Sequence, residues 1–456
     1  MWVVAGKFFS FFIHLAVTAL MARLLPPDEM GIFFLISSLV NFYMMFSLLG
    51  MERSIVRTVA ESLALDQPER ASAAVRYVLQ FGLLSSSVVA FLTMSEAGQM
   101  ISERIFNMAL TREFLIYSAA WVILLTLETL VVESFRGFHD IRFATIYNGL
   151  ITYIFSSLAL GFILLRSEKA DITLVLQVII IAHAINFMIA FFSLLKTTPI
   201  FRLRNTGVIS RSHVLRTSWA LYFTNISLFF MSSGQLWLLA YASTKESVAI
   251  YGAVSRFMIL LTTTLTMVKF VILPMIGHLY TKKDYHKLER VLRSSATIAG
   301  LPAIAGLFLI IVFGKTILYY VYGPYYTAGY TALLILAVAN LINVFTGVPG
   351  ALMVMAGKEN ILLVFSVFSS LIGFALGFLL VGPMDCAGVA IGGGTGIILY
   401  NLIMFWYCKT RLSINTLMSF QEFFSTVSTL RYNYFNYSPA GAIGKQFRKK
   451  ILRIKS

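Results

Sequence analysis

Four polar residues interrupt the first apolar run of the chain: Lys7, Ser10, His14 and Thr18. Their spacing of i, i+3, i+7 and i+11 stacks them on one helix face. Ser218, Tyr222, Asn225 and Ser232 share a face in a later run, with Asn225 standing 218 positions after Lys7 and Ser232 as far after His14. Ser37, Ser38, Asn41 and Glu52 make a third polar side, and Ser255, Arg256, Thr262, Thr263, Thr266 and Lys269 a fourth. Such faces can hold a hydrophilic or charged guest, and in hydrocarbon they must turn toward protein or water.

Arg256 is the sharpest candidate among them. A guanidinium deep in an apolar helix costs about 2.5–3.5 kcal/mol on insertion scales. A phosphate gripped by both arms of its planar fork would offset that cost. Outward snorkelling would also do so, as would a carboxylate that ties two helices together. For Lys7 and Lys269, nearer the ends of their runs, snorkelling competes more strongly. Arg53 and Arg57 form either a cationic mouth or ordinary surface anchors. Glu128 and Glu133 are the acidic counterparts, with Thr126, Thr129 and Glu133 on one face. Either carboxylate could bind a proton or Na⁺, or be half of a structural ion pair. His14 reads as a proton relay or as a satisfied interior histidine, and His183 as the latter. "TGVPG" (Thr346–Gly350) predicts a kink that frees backbone carbonyls, while Gly388, Gly392 and Gly396 predict close helix packing.

The surrounding composition says what must position these residues. Hydrophobic residues make up 58% of the chain and charged ones 12%, with a mean hydropathy of +0.82. A soluble domain averages about 25% charged residues, so a water-facing surface could not be covered. The apolar runs are about 20 residues long, enough to cross a bilayer, and the short alternating segments of a β-barrel are absent. The fold class is all-α, a polytopic membrane protein. Twelve spans fall near 2–23, 31–51, 74–95, 114–135, 143–165, 172–195, 216–240, 248–272, 294–313, 329–355, 360–381 and 386–408. The first run reads as a span, not a removable leader, because Lys7 falls inside it and Ala22 lacks a small residue three positions earlier. Cys386 and Cys408 offer neither a disulfide framework nor metal spacing.

Charge sets the orientation. With Met1 in the cytoplasm, 27 of the 36 Lys and Arg fall on the inner side, seven outside, and two (Arg256 and Lys269) within a span. The positive-inside bias places both termini in the cytoplasm. The net charge of +16 then reports topology and attraction to anionic lipid. Nucleic acid is not an expected partner, since no soluble domain carries a basic face.

The chain also repeats itself. "ALGFILL" (Ala159–Leu165) returns as "ALGFLLV" (Ala375–Val381), 216 positions on. "EMGIFFLISSL" (Glu29–Leu39) lies over "VAIYGAVSRF" (Val248–Phe257) and Asp66 over Asp284, both at 218, and "RGFHDI" (Arg136–Ile141) over "AGKENI" (Ala356–Ile361) at 220. Six spans per copy is an even number, so both copies enter the membrane in the same orientation. The expectation is two six-helix lobes, related by a pseudo-two-fold along the membrane normal and facing each other across a cleft. The lobes are residues 1–195 and 216–408, joined by a basic cytoplasmic loop at 196–215 and followed by a basic tail at 409–456.

"LAVTALMARLLPPDEMGIFFLISSLVNFYMMFSLLGMERSIVR" (Leu15–Arg57) resembles the opening of polysaccharide (O-antigen type) flippases of the multidrug/oligosaccharidyl-lipid/polysaccharide exporter superfamily. A first helix ends in aliphatic-Arg-aliphatic, a Pro-acidic turn and Gly-aliphatic-Phe follow, and the next helix closes on "LG" before a basic patch. The resemblance implies a transporter, not an enzyme. It would move a polyprenyl-pyrophosphate-linked oligosaccharide, such as an O-antigen, capsule or exopolysaccharide precursor, from the cytoplasmic to the outer leaflet of the inner membrane by alternating access. Partners would be membrane lipids, glycosyltransferases, and a glycan polymerase or ligase. No cofactor is implied beyond H⁺ or Na⁺ as coupling ion. Arg256, Lys7, His14, Asn41, Asn225, Lys269, Arg53 and Arg57 become candidate substrate contacts, and Glu128 and Glu133 candidate coupling residues.

Two other readings stay open. A multidrug or small-cation antiporter of the same superfamily would have an acidic or aromatic cleft. A membrane-embedded glycan polymerase or acyltransferase would present acid, base or nucleophile on a loop or cleft mouth, and the short outer loops count against it. "FGKT" (Phe313–Thr316) lacks the first glycine of a nucleotide loop, with Leu309 in its place, and "GGGTG" (Gly392–Gly396) lacks the strand–helix context of a dinucleotide site.

Overall fold

The computed structural model describes residues 2–107, 110–166, 170–198 and 219–421, among which there are helices and no strand. The first lobe runs α1 (Trp2–Leu24), α2 (Pro27–Leu48), α3 (Met51–Ala64), α4 (Pro68–Met94), α5 (Glu96–Phe106), α6 (Arg112–Gly137), α7 (Ile141–Thr145), α8 (Ile151–Leu165) and α9 (Ile172–Thr197). The second runs α10 (Trp219–Ser232), α11 (Gly234–Ala242), α12 (Lys245–Thr281), α13 (Tyr285–Tyr322), α14 (Tyr330–Thr346), α15 (Pro349–Met355) and α16 (Glu359–Arg411). Nine described helical segments are long and apolar enough to cross a membrane. α1 and the broken pair α10–α11 add two. α16 counts twice, because Asp385 (φ 48°, ψ −125°) folds it into two spans. The described residues therefore hold twelve spans, as the runs in the sequence predict.

Local chemistry sets the boundaries. Pro27 opens α2, where a missing N–H costs nothing, and Asp28 and Glu29 follow it in the first turn. Leu49 and Gly50, both left-handed, separate α2 from the amphipathic α3. α3 buries Ile55 and Val59 against α4 and α6.

The duplication is visible in where elements start and stop. α2 begins at Pro27 and α12 at Lys245, α6 at Arg112 and α14 at Tyr330, and α7 at Ile141 and α16 at Glu359, each pair 218 positions apart. Left-handed turn residues recur too, His139 with Gly357 and Asp66 with Lys283. The copies differ at one place that matters. The Leu49–Gly50 break has no counterpart in α12, which runs on through 37 residues.

The end of the chain holds a contact that the sequence did not predict. Residues 412–421, read from the sequence as the start of a basic tail, pack into the second lobe. Ile414 and Thr416 are fully buried. The Met418 N–H donates to the Phe345 carbonyl (3.0 Å) and the Asn415 N–H to Glu289 Oε2 (3.2 Å). Phe345 needs that donor, because the residue four positions on is Pro349, which has no N–H. The sequence did place the kink: α14 stops at Thr346 and Gly347 takes φ +76°. The inter-lobe loop and the rest of the tail lie outside the described residues, apart from Lys196–Thr198.

Candidate functional site

A cavity of about 440 Å³ lies where α1, α2, α6, α8 and α9 of the first lobe meet α12 of the second. Ser10, His14 and Thr18 line it from α1, on the face their spacing predicts. Lys7 is on the same helix, but its side chain lies outside the described set. α2 contributes Ser37 and Asn41. Ser38, one residue along, points elsewhere and accepts the Trp237 indole N–H of the other lobe (2.8 Å).

Arg256 enters from α12. Its guanidinium donates to Ser37 Oγ (3.4 Å) and stands 5.8 Å from the centre of the Phe34 ring. Tyr153 and Tyr322 lie within its electrostatic reach, and neither is a carboxylate. About two and three turns further along α12, Thr262, Thr263 and Thr266 line the same wall with their hydroxyls returned to carbonyls of their own helix. Among the described residues lining the cavity there is no Asp or Glu, and Arg256 is the one permanent charge.

The opposite wall comes from a discontinuity the sequence did not announce. Between α7 and α8 the backbone makes a wide π-type turn, with Asn148 at ψ 64° and Gly149 at φ 89°. Gly149 suits that conformation, and a Cβ there would come 2.9 Å from the Tyr153 ring. The break presents Asn148, Thr152, Tyr153 and Ser156 to the cavity. The Tyr153 ring leans on His14, with centroids 4.6 Å apart.

Behind this wall is a buried polar network. Glu128 on α6 bonds His183 Nδ1 (2.7 Å) and accepts from Asn186 Nδ2 (2.7 Å), and Asn186 also donates to the Tyr147 carbonyl in the broken turn (2.9 Å). His183 lines the cavity, so it links Glu128 to the interior. In sequence His183 read only as a satisfied interior histidine. The available signal was its i, i+3 spacing to Asn186, the only other strongly polar residue in the middle of that run.

Other predicted residues sit elsewhere. Glu133 pairs with Arg136 and does not line the cavity. Arg57 is exposed and pairs with Glu61 (2.6 Å). Arg53 crosses between the lobes to donate to Asn225 Oδ1 (3.1 Å), and its charge reaches Lys269. Arg53, Asn225 and Lys269 thus form a second polar cluster apart from the cavity. "FGKT" and "GGGTG" lie inside α13 and α16. The α16 glycines pack helix on helix, as expected: a Cβ on Gly392 would stand 2.5 Å from the Gly373 carbonyl oxygen.

The Pro27 end of the inter-lobe space is closed. Gly31 of α2 meets α12 so tightly that a Cβ would lie 2.0 Å from the Lys245 carbonyl oxygen. Arg23 donates to the Tyr320 carbonyl (2.6 Å). Deeper in, Phe42 packs on Phe229 and Trp237 at centroid distances of 5.3 and 5.0 Å, and Phe106 of α5 covers Trp237 at 5.8 Å.

Comparison with known proteins places this architecture. An inward-facing multidrug resistance MATE family transporter of the MOP superfamily has a similar structure (TM-score 0.73, 16% identity, covering 89% of this chain and 94% of that one). An outward-facing transporter of the same kind is similar too (TM-score 0.66, 17% identity, 90% and 94%). At such identity the likeness speaks for the two-lobed, polytopic membrane transporter fold alone. No curated protein matches the sequence. Residues 20–330 match the family described as polysaccharide biosynthesis protein. That match covers well over half of the chain, and the chain therefore belongs to the polysaccharide biosynthesis protein family.

Proposed function

We propose that this protein carries a polyprenyl-pyrophosphate-linked oligosaccharide from the cytoplasmic to the outer leaflet of the inner membrane by alternating access. The observation that supports this reading is charge: the cavity has one permanent cation, Arg256, and no carboxylate among its described lining. A buried cation without a counter-ion favours an anionic guest. The guanidinium fork takes the diphosphate, while Asn41 and the threonines of α12 meet sugar hydroxyls. A volume of about 440 Å³ is within the ~300–1,000 Å³ range of small-ligand sites and suits the diphosphate with its nearest sugar.

With both termini in the cytoplasm, the closed Pro27 end faces outward and the cavity is in its cytoplasm-facing state. Arg53 and Lys269 then stand on the cytoplasmic side of Arg256, where they attract the incoming anion. The Glu128–His183–Asn186 network is the coupling element, taking H⁺ or Na⁺ and passing the change to the cavity wall through His183. Glycosyltransferases supply the cargo, and a polymerase or ligase consumes it. No bond in the cargo is made or broken.

The test is Arg256→Ala in cells that depend on this chain for a surface glycan. Surface glycan should fall at least about 100-fold at unchanged protein level, and Arg256→Lys should restore part of it. Wild-type glycan in the alanine variant rejects the reading. The aromatic lining of Phe11, Phe33 and Trp121 favours a second reading, a multidrug antiporter. It requires that overexpression raise drug resistance and that Arg256→Ala leave that resistance intact.

A further inference from the structure

α1 has two distinct sides. Ser10, His14 and Thr18 face the Arg256 cavity, while Phe12, Leu15, Ala16, Ala19 and Leu20 line a separate apolar groove of about 390 Å³ on the opposite face. Tyr320 and Val321 at the end of α13 form the far wall, and Arg23 closes one end through its bond to the Tyr320 carbonyl. Phe12 and Tyr320 are exposed, so the groove opens to hydrocarbon.

One side-chain contact spans the seam between α1 and α13 where groove and cavity come nearest along the helix. Thr18 Oγ1 and Tyr322 OH stand 3.4 Å apart, long for a hydroxyl pair, and the Thr18 hydroxyl has its better partner in the Leu15 carbonyl at 2.9 Å. Tyr322 is within the electrostatic reach of Arg256. A cation therefore stands on one side of the α1–α13 seam and an apolar trough on the other. Thr18 lies six residues from the end of α1, about 9 Å along its axis. A bulk phospholipid keeps its phosphate at the membrane surface and cannot place it at that depth. An amphiphile with its anion at Arg256 begins its chain at the level of the groove.

We infer that the groove seats the first isoprenoid units of a prenyl diphosphate whose head lies at Arg256, with the Thr18–Tyr322 contact as the gate that parts between them. The inference rests on the cavity being an anion site. Ala16 and Ala19 give the groove its depth, and tryptophan at either position fills it from the lipid side without touching the cavity face.

The experiment measures binding of geranylgeranyl pyrophosphate and of inorganic pyrophosphate to the full chain in nanodiscs. Burying two or three prenyl carbons is worth about tenfold or more. Ala19→Trp and Ala16→Trp should therefore weaken geranylgeranyl pyrophosphate at least tenfold and leave inorganic pyrophosphate unchanged. Unchanged binding of both ligands in both variants overturns the inference. Equal loss of both ligands also overturns it, because the groove is then not separable from the cavity. Arg256→Ala tests the underlying reading alone: if inorganic pyrophosphate still binds that variant as it binds wild type, the anion site fails whatever the tryptophan variants do.

Discussion

Gly31→Ala is the most direct perturbation of the closed Pro27 end. The added Cβ would lie 2.0 Å from the Lys245 carbonyl oxygen and 2.8 Å from its carbon, against an ordinary contact of 3.4 Å or more. The obstacle is backbone at the first residue of α12, so no side chain can swing aside. α2 and α12 must separate by more than an ångström, and the packing of Phe34 over Gly252 on the same pair of helices loosens with them. Overpacking of this kind costs about 1–3 kcal/mol. It falls on the conformation in which these ends touch, so it shifts the population toward the other one. At tenfold per ~1.4 kcal/mol, the shift is about 5- to 150-fold. The assay is a cysteine at Thr263, in the cavity wall, labelled by a membrane-impermeant maleimide added outside intact cells. Gly31→Ala should accelerate labelling by that factor and slow labelling from the cytoplasmic side of inverted vesicles. Equal rates in the glycine and alanine chains, with both proteins folded and inserted, would refute the idea that this crossing holds the Pro27 end shut.

Three further outcomes are expected. Glu128→Ala leaves His183 and Asn186 without their shared acceptor in a buried setting, at about 2–5 kcal/mol, seen as a lower melting temperature in detergent. Glu128→Gln keeps an acceptor and most of the stability, but should uncouple transport from an imposed H⁺ or Na⁺ gradient in proteoliposomes. Ending the chain after Arg411 removes the buried Ile414 and the Met418 and Asn415 bonds to the second lobe, a loss of about 3–5 kcal/mol. Circular-dichroism melting of the truncated protein against the full chain measures it.

The membrane architecture was legible because span length is a property of single segments. The 218-position duplication was legible for a related reason: turns such as His139–Asp140 and Gly357–Lys358 need particular backbone geometry in both copies. The polar face of α1 and the exposure of Arg256 to an interior space also followed from spacing. What spacing could not show is which of several polar faces meet. Ser37 and Asn41 reach the cavity, yet Ser38 and Asn225 make inter-lobe bonds instead, because a helix in a two-lobed bundle has more than one protein-facing side. The wall of Asn148, Tyr153 and His183 was missed because it depends on a π-type turn whose freed carbonyl is satisfied from another helix by Asn186. The strap at 412–421 was hidden for the opposite reason. The strong charge of the last residues masked Ile414 and Thr416, two of the better buried side chains at that end of the lobe.

α1 stands between two solvents, with His14 and Thr18 toward polar space and Leu15, Ala16 and Leu20 toward acyl chains. A quarter or half roll about its own axis would turn these hydroxyls and the imidazole into hydrocarbon, at several kcal/mol in total. Whatever motion α1 makes during a working cycle is confined to tilting, bending or sliding along its length. That restriction keeps the same face of the helix turned toward Arg256 through every state the helix visits.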